Sequence, residues 1–161
     1  MPQKKFDIDI EVGRRLTSAV AHNVALGLEM VEVSSGRVLM KLPYDKRLVG
    51  NPDSGVLHGG VISSVIDAVS GLSVFVTVAE IIPIATLDLR IDYLKPATPE
   101  RDLLTQAHCY KLTRSIAFVR AIAYHDEKND PVATSVSTFM LGVSGSSADN
   151  WARQAATGKG S

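Results

Sequence analysis

Residues 59–79 read GGVISSVIDAVSGLSVFVTVA, and the placement of this stretch decides the fold. Within it Val61–Ala79, apolar almost all round, matches a membrane-crossing helix by length alone. Its interior nevertheless carries Asp67, four serines and Thr77, and neither flank is cationic. A charge at the centre of an isolated span costs roughly 2.5–3.5 kcal/mol on insertion scales. The stretch therefore reads as the buried helix of a soluble protein, running from about Gly59 to Ala79 and ended before Pro83. No membrane partner is expected.

Outward from this helix the apolar pattern changes. On its N-terminal side, Leu28, Met30 and Val33 lead into Ser34-Ser35-Gly36-Arg37 and then Val38, Met40 and Leu42, the pattern of a β-hairpin. Ile10 to His22 reads as one short N-terminal helix, and Tyr44 to Gly55 as loop, since Gly50, Asn51-Pro52-Asp53-Ser54-Gly55 are turn residues in succession. On its C-terminal side, Leu87, Leu89, Ile91 and Tyr93 alternate with Thr86, Asp88, Arg90 and Asp92, the period of a strand with one wet face. Leu103–Leu112, Ser115–His125 and Val132–Leu141 read as three more strands, joined by links short enough to imply antiparallel neighbours. The expected architecture is α+β: a long central helix wrapped by a curved antiparallel sheet of five or six strands. One sheet cannot bury a helix that is apolar on all sides, so the sheet curls, a second copy covers the remainder, or both. Residues 1–143 are expected to form a single domain and residues 144–161 a loose tail.

Composition removes several classes of function. Lys plus Arg and Asp plus Glu number 17 each, which lacks the basic excess of a protein built to hold nucleic acid. One cysteine, Cys109, can neither form an intramolecular disulfide nor build a cysteine metal site, which fits a reducing, cytoplasmic setting. The four histidines, at 22, 58, 108 and 125, lack ligand spacing, so no metal is expected. Nucleophile-elbow, phosphate-loop and H-E-x-x-H patterns are absent from the sequence.

What remains is the segment from Asn51 through His58-Gly59-Gly60 to Asp67. A carboxylate within an apolar helix is desolvated unless it is paired, protonated or facing a cavity, which marks Asp67 as functional. Gly59 and Gly60 open the same helix with N–H groups at its positive end and no side chain in the way of an incoming carbonyl oxygen. Together these features suggest acyl transfer, with the Gly60 amide as oxyanion donor. Asp67 lies seven residues beyond Gly60, roughly 10 Å along the axis, too far for both to act on one carbonyl from one chain. The two groups are therefore expected from different subunits of a two-fold homodimer with helices laid antiparallel. Whether dimers pair further into tetramers stays open.

At these residues the chain resembles the PaaI-like (phenylacetate-pathway) hotdog-fold thioesterases of the 4-hydroxybenzoyl-CoA thioesterase superfamily. The resemblance rests on Asn51, Gly55, His58-Gly59-Gly60 and Asp67, then Thr86-x-Asp88 and Tyr93-Leu94-Lys95-Pro96-Ala97, and spans about residues 25–142. It implies the hotdog fold and hydrolysis of acyl-CoA thioesters without metal or cofactor. By the same resemblance Asp67 is general base or nucleophile, Gly60 of the other subunit polarises the thioester carbonyl, Asn51 positions water or thioester, His58 orients the loop, and Thr86 helps hold the water. The loop from Asn51 to His58 carries one residue more than the family spacing, so Asn51 reads equally as the opening of a Pro-Asp-Ser-Gly turn. Gly59, Ser64 and Tyr93 are expected along the substrate, and Lys95, Lys111 and Arg114 are candidates for the CoA phosphates. Two other readings are a non-catalytic acyl-CoA-binding sensor and a hotdog dehydratase or hydratase. The second would use a His/acid pair, an arrangement that His58 before two glycines does not reproduce.

Overall fold

The computed structural model describes residues 8–78 and 82–142. The expected N-terminal helix is two helices: α1 (Ile10–Ser18) and α2 (Ala21–Leu26). Asp9 starts α1 by accepting the Val12 N–H at 2.9 Å. The break falls at Val20, whose extended backbone turns the chain so that Leu16 and Leu26 can both reach the core. A hairpin follows, β1 (Glu29–Ser34) and β2 (Arg37–Leu42). The segment expected to be loop holds a 3-10 turn at Lys46–Leu48 and a small two-stranded ribbon of β3 (Val49–Asn51) with β4 (Val56–Leu57). Its turn residues are real, but the alternation around them is too short to show a strand.

The central helix α3 spans Gly59–Thr77 and stops where Val78 becomes extended. Then come β5 (Ile84–Tyr93), β6 (Leu103–Leu112), β7 (Ile116–Tyr124) and β8 (Ala133–Leu141). The six long strands form one antiparallel sheet in the order β1-β2-β6-β7-β8-β5, so β5 crosses to the edge beside β8. The tail expected from residue 144 onward lies outside the described residues.

Among the described residues α3 is the only helix long and apolar enough to cross a membrane, and the sheet covers much of it. Val65, Ile66, Val69 and Val74 are fully buried, each contributing about 1.5–3 kcal/mol of apolar burial. The helix can sit low because the sheet beneath it is lined with small side chains: Ala107, Ala117, Ala121, Ala123 and Ala133 are all buried. It packs against β2, β5, β6, β7 and β8, which requires the sheet to bend round it. Register shifts between Thr86 and Asp88 and between Cys109 and Lys111 supply bulges at which strands bend. One side of α3 stays open and carries Gly60, Ser64, Asp67, Ala68 and Gly71, small residues around one acid.

His125 ties loops together through both ring nitrogens. Its Nδ1 lies 2.7 Å from the Asp102 carbonyl, and its Nε2 accepts the Thr98 N–H at 2.8 Å, so the ring pins two loops together. His125→Ala leaves both backbone groups without a partner, and we expect a loss of about 1–3 kcal/mol. A fall in the urea unfolding midpoint with unchanged m-value is the check; an unmoved midpoint would deny the ring this role.

Candidate active site

The loop before α3 is held by its own side chains. Asn51 Oδ1 accepts the Asp53 N–H at 3.0 Å, and its carbonyl accepts from Gly55 at 2.9 Å. Gly55 sits at φ +71, where a side chain would be strained, and Tyr44 Oη donates to its carbonyl at 2.9 Å. The side-chain oxygen of Asn51 is thus engaged within its own turn.

His58 caps α3: its Nδ1 accepts the Gly60 N–H at 2.9 Å. The fit needs glycine, because a Cβ on Gly60 would lie 2.9 Å from that nitrogen. The Gly60 donor is therefore in use in the isolated protomer. The Gly59 N–H, first in the helix and solvent-exposed, has no partner among the described residues.

Eight residues further on, about 12 Å along the axis, stands Asp67. It is half-buried, and its Oδ1 accepts the Thr86 hydroxyl at 2.9 Å. Thr86 is placed there because β5 runs along the open side of α3, with a bulge at residues 86–88 turning the strand. Both residues line a cleft of about 360 Å³ whose other walls are largely apolar, among them Leu72, Phe75, Ile84 and Phe139. Ser64 lines it too, its hydroxyl donating back to the Gly60 carbonyl at 2.9 Å.

The remaining wall, which no local sequence pattern announces, is supplied by His22 and Asn23 of α2. Asn23 is only 7% exposed. A buried polar residue on a short helix is the signal, but it becomes visible only once the break at Val20 is known.

A second groove, of about 430 Å³, runs past the start of α3 and joins Gly59, Tyr93 and Lys95. Lys95 forms an ion pair with Asp130, which offsets its charge. Lys111 lies over the Phe118 ring at 5.9 Å, and Arg114 sits in the β6–β7 turn; neither lines this groove or the cleft. Cys109 is buried, and burial pushes its thiol up, which disfavours a thiolate nucleophile. Burial, with Arg37 and Arg120 nearby, holds His108 below its ordinary range and favours the neutral ring. Among the described residues no cluster of three His, Cys, Asp or Glu side chains could hold a metal ion.

A carboxylate in an apolar cleft, oriented by a hydroxyl, and a helix whose first N–H is open are parts suited to attack on a carbonyl. The model of the thioesterase superfamily matches residues 54–132, which contain His58, both glycines, Asp67 and Thr86 but not Asn51. A crystal structure of a Pseudomonas aeruginosa protein, 39% identical, superposes with a TM-score of 0.75, covering 81% of this chain and 97% of that one. The chain belongs to the thioesterase superfamily.

This thioesterase has the hotdog fold, a six-stranded antiparallel sheet around one long helix. It is similar to the medium/long-chain acyl-CoA thioesterase YigI of Escherichia coli K12, 28% identical over 144 residues that cover 81% of this chain and 92% of YigI. A Streptococcus mutans protein whose crystal structure holds acetyl CoA is 25% identical, with a TM-score of 0.63 and coverage of 71% of this chain and 87% of that one.

Proposed function

We propose that this thioesterase hydrolyses acyl-CoA thioesters to the free acid and CoA, with Asp67 as the base or nucleophile. The observation that carries the reading is the Asp67–Thr86 pair facing an apolar cleft. The cleft can take a hydrocarbon or aryl acyl group while the carboxylate stays at its rim. Thr86 donates to one carboxylate oxygen and leaves the other for a water or for the thioester carbon. The relatives named above act on, or hold, CoA derivatives.

The thioester oxygen is taken up by the diglycine turn of a second copy, because a 12 Å separation on one helix exceeds what a single carbonyl can bridge. Gly59 offers the open N–H; Gly60 adds a second where His58 gives it up. The open side of α3, built from small residues, lets two helices approach closely enough for this exchange. The unpaired edge of β5 is where a second sheet would add. CoA's nucleotide end lies in the solvent-facing groove past Tyr93, with Lys95 nearest and Lys111 and Arg114 left to a neighbouring subunit's ligand.

The test is a panel of acyl-CoA thioesters, from acetyl to palmitoyl and including phenylacetyl, read by free thiol release. Turnover well above the uncatalysed rate on at least one member is expected. Tight binding across the panel with no thiol released would instead make the protein an acyl-CoA sensor.

A further inference from the structure

We infer that Tyr93 is a positioning residue: its hydroxyl holds the Gly59–Gly60 peptide at the orientation from which the helix entrance can receive the substrate's carbonyl oxygen. This rests on the diglycine turn being the oxyanion site.

The first turn of any helix is its least restrained part, since its N–H groups have no carbonyl partner within the helix. A misplacement of 1 Å in a reacting geometry can cost about 10²-fold in rate. Something other than helical hydrogen bonding must therefore fix this turn. Tyr93 stands at the last position of β5, paired with Ala133 of β8, so its backbone belongs to the sheet. From there Oη donates to the Gly59 carbonyl at 2.7 Å and lies 2.6 Å from Ser63 Oγ, itself 3.1 Å from the same carbonyl. Two hydroxyls thus close a triangle on one oxygen. The ring also covers Gly59: a Cβ there would lie 3.7 Å from the Tyr93 Cζ.

Two consequences follow from the chemistry of the peptide group. The Gly59 carbonyl and the Gly60 N–H are ends of one planar unit, so gripping the oxygen fixes the direction of that N–H, the one His58 Nδ1 accepts at 2.9 Å and must give up before the turn can receive a substrate oxygen. Withdrawing electron density from the oxygen also strengthens the N–H as a donor, as in any chain of hydrogen bonds. The residue is 49% exposed, so its hydroxyl contributes little by burial and acts through the contact it makes. The same strand brings Thr86 to Asp67, so β5 grips α3 both at the acid and at the donor turn.

The experiment compares the wild type with Tyr93→Phe, Ser63→Ala, the double variant and Asp67→Asn. It uses octanoyl-CoA hydrolysis for kcat and KM, and the affinity of the non-hydrolysable octyl thioether of CoA. Tyr93→Phe keeps the ring against Gly59 and removes only the hydroxyl. It is expected to lower kcat ten- to hundredfold, with KM and thioether affinity within threefold of wild type. Ser63→Ala should cost less than threefold, and the double variant should be no slower than Tyr93→Phe alone. The inference is overturned if Tyr93→Phe keeps kcat within threefold while Asp67→Asn is inactive, a result that leaves the proposed reaction intact. Equally, a loss confined to KM and thioether affinity would make Tyr93 a substrate contact. Full turnover by Asp67→Asn, or no turnover by the wild type, removes the reading beneath it as well.

Discussion

Asp67→Asn is expected to lower kcat on any accepted acyl-CoA by about 10³-fold, in line with the loss of a general base or a carboxylate nucleophile. The substitution is nearly isosteric, and the Thr86 hydroxyl that now donates to Oδ1 at 2.9 Å can donate equally to an amide oxygen. The shape of the cleft is therefore retained while the group that takes a proton, or attacks, is lost. Substrate affinity should change little, because the acyl group lies against Leu72, Phe75, Ile84 and Phe139 rather than on the acid. Thermal stability should not fall, since a half-buried carboxylate with one hydroxyl partner is exchanged for a neutral group of the same size. Thiol-release kinetics and a melting curve on the same preparation decide the matter. A variant that folds and still turns over within tenfold of wild type would exclude Asp67 from the chemistry.

Gly60→Ala is the second large effect expected, about 10²-fold in kcat/KM. A methyl there would lie 2.9 Å from His58 Nδ1 and 3.1 Å from Cε1, so the ring must leave its cap. Two things then fail at once. The helix loses its N-cap, about 1 kcal/mol, and the entrance, open because neither of its residues has a side chain, is partly blocked to a carbonyl oxygen. His58→Ala separates the two, because it removes the cap without adding a methyl. Comparable and small losses in both variants would show that the entrance is no oxyanion site. Mixing the two inactive proteins tests the shared site directly. If acid and donor come from different subunits, half of a random mixture is hybrid dimers, each with one intact centre, and activity should recover to about one quarter of wild type. No recovery, after exchange of subunits has been demonstrated, would place both groups within one chain.

Much of this arrangement could be read from residue order alone, and the reasons are physical. The helix was visible because an apolar run of that length with a single acid has few other homes. The hairpin was visible because two apolar runs flank Ser34-Ser35-Gly36-Arg37, β5 because residues 86–93 alternate, and the later strands because apolar runs are separated by short links. The ribbon of Val49–Asn51 with Val56–Leu57 was not, since strands of three and two residues have no measurable period. The break in the N-terminal helix was hidden because Val20, an ordinary helical residue by propensity, turns only to satisfy Leu16 and Leu26 together. With it went the α2 wall of the cleft. Of the candidate site residues, Asp67 and Thr86 come together, Gly59, Tyr93 and Lys95 share one groove, and Lys111 and Arg114 stand apart from both. The Lys95–Asp130 pairing depends on residues 35 positions apart, which no local pattern reports.

The nineteen residues of α3 form one continuous rod, with the acid and the donor turn both mounted on it. A rod cannot be tilted at one end only. Any change that widens the pocket by shifting this helix re-aims the donor turn by leverage, and chemistry suffers along with fit. The short α2 carries neither group and is joined to α1 through the bend at Val20. Retuning of the accepted chain should therefore begin at His22 and Asn23, where the wall can move while the reacting groups stand still.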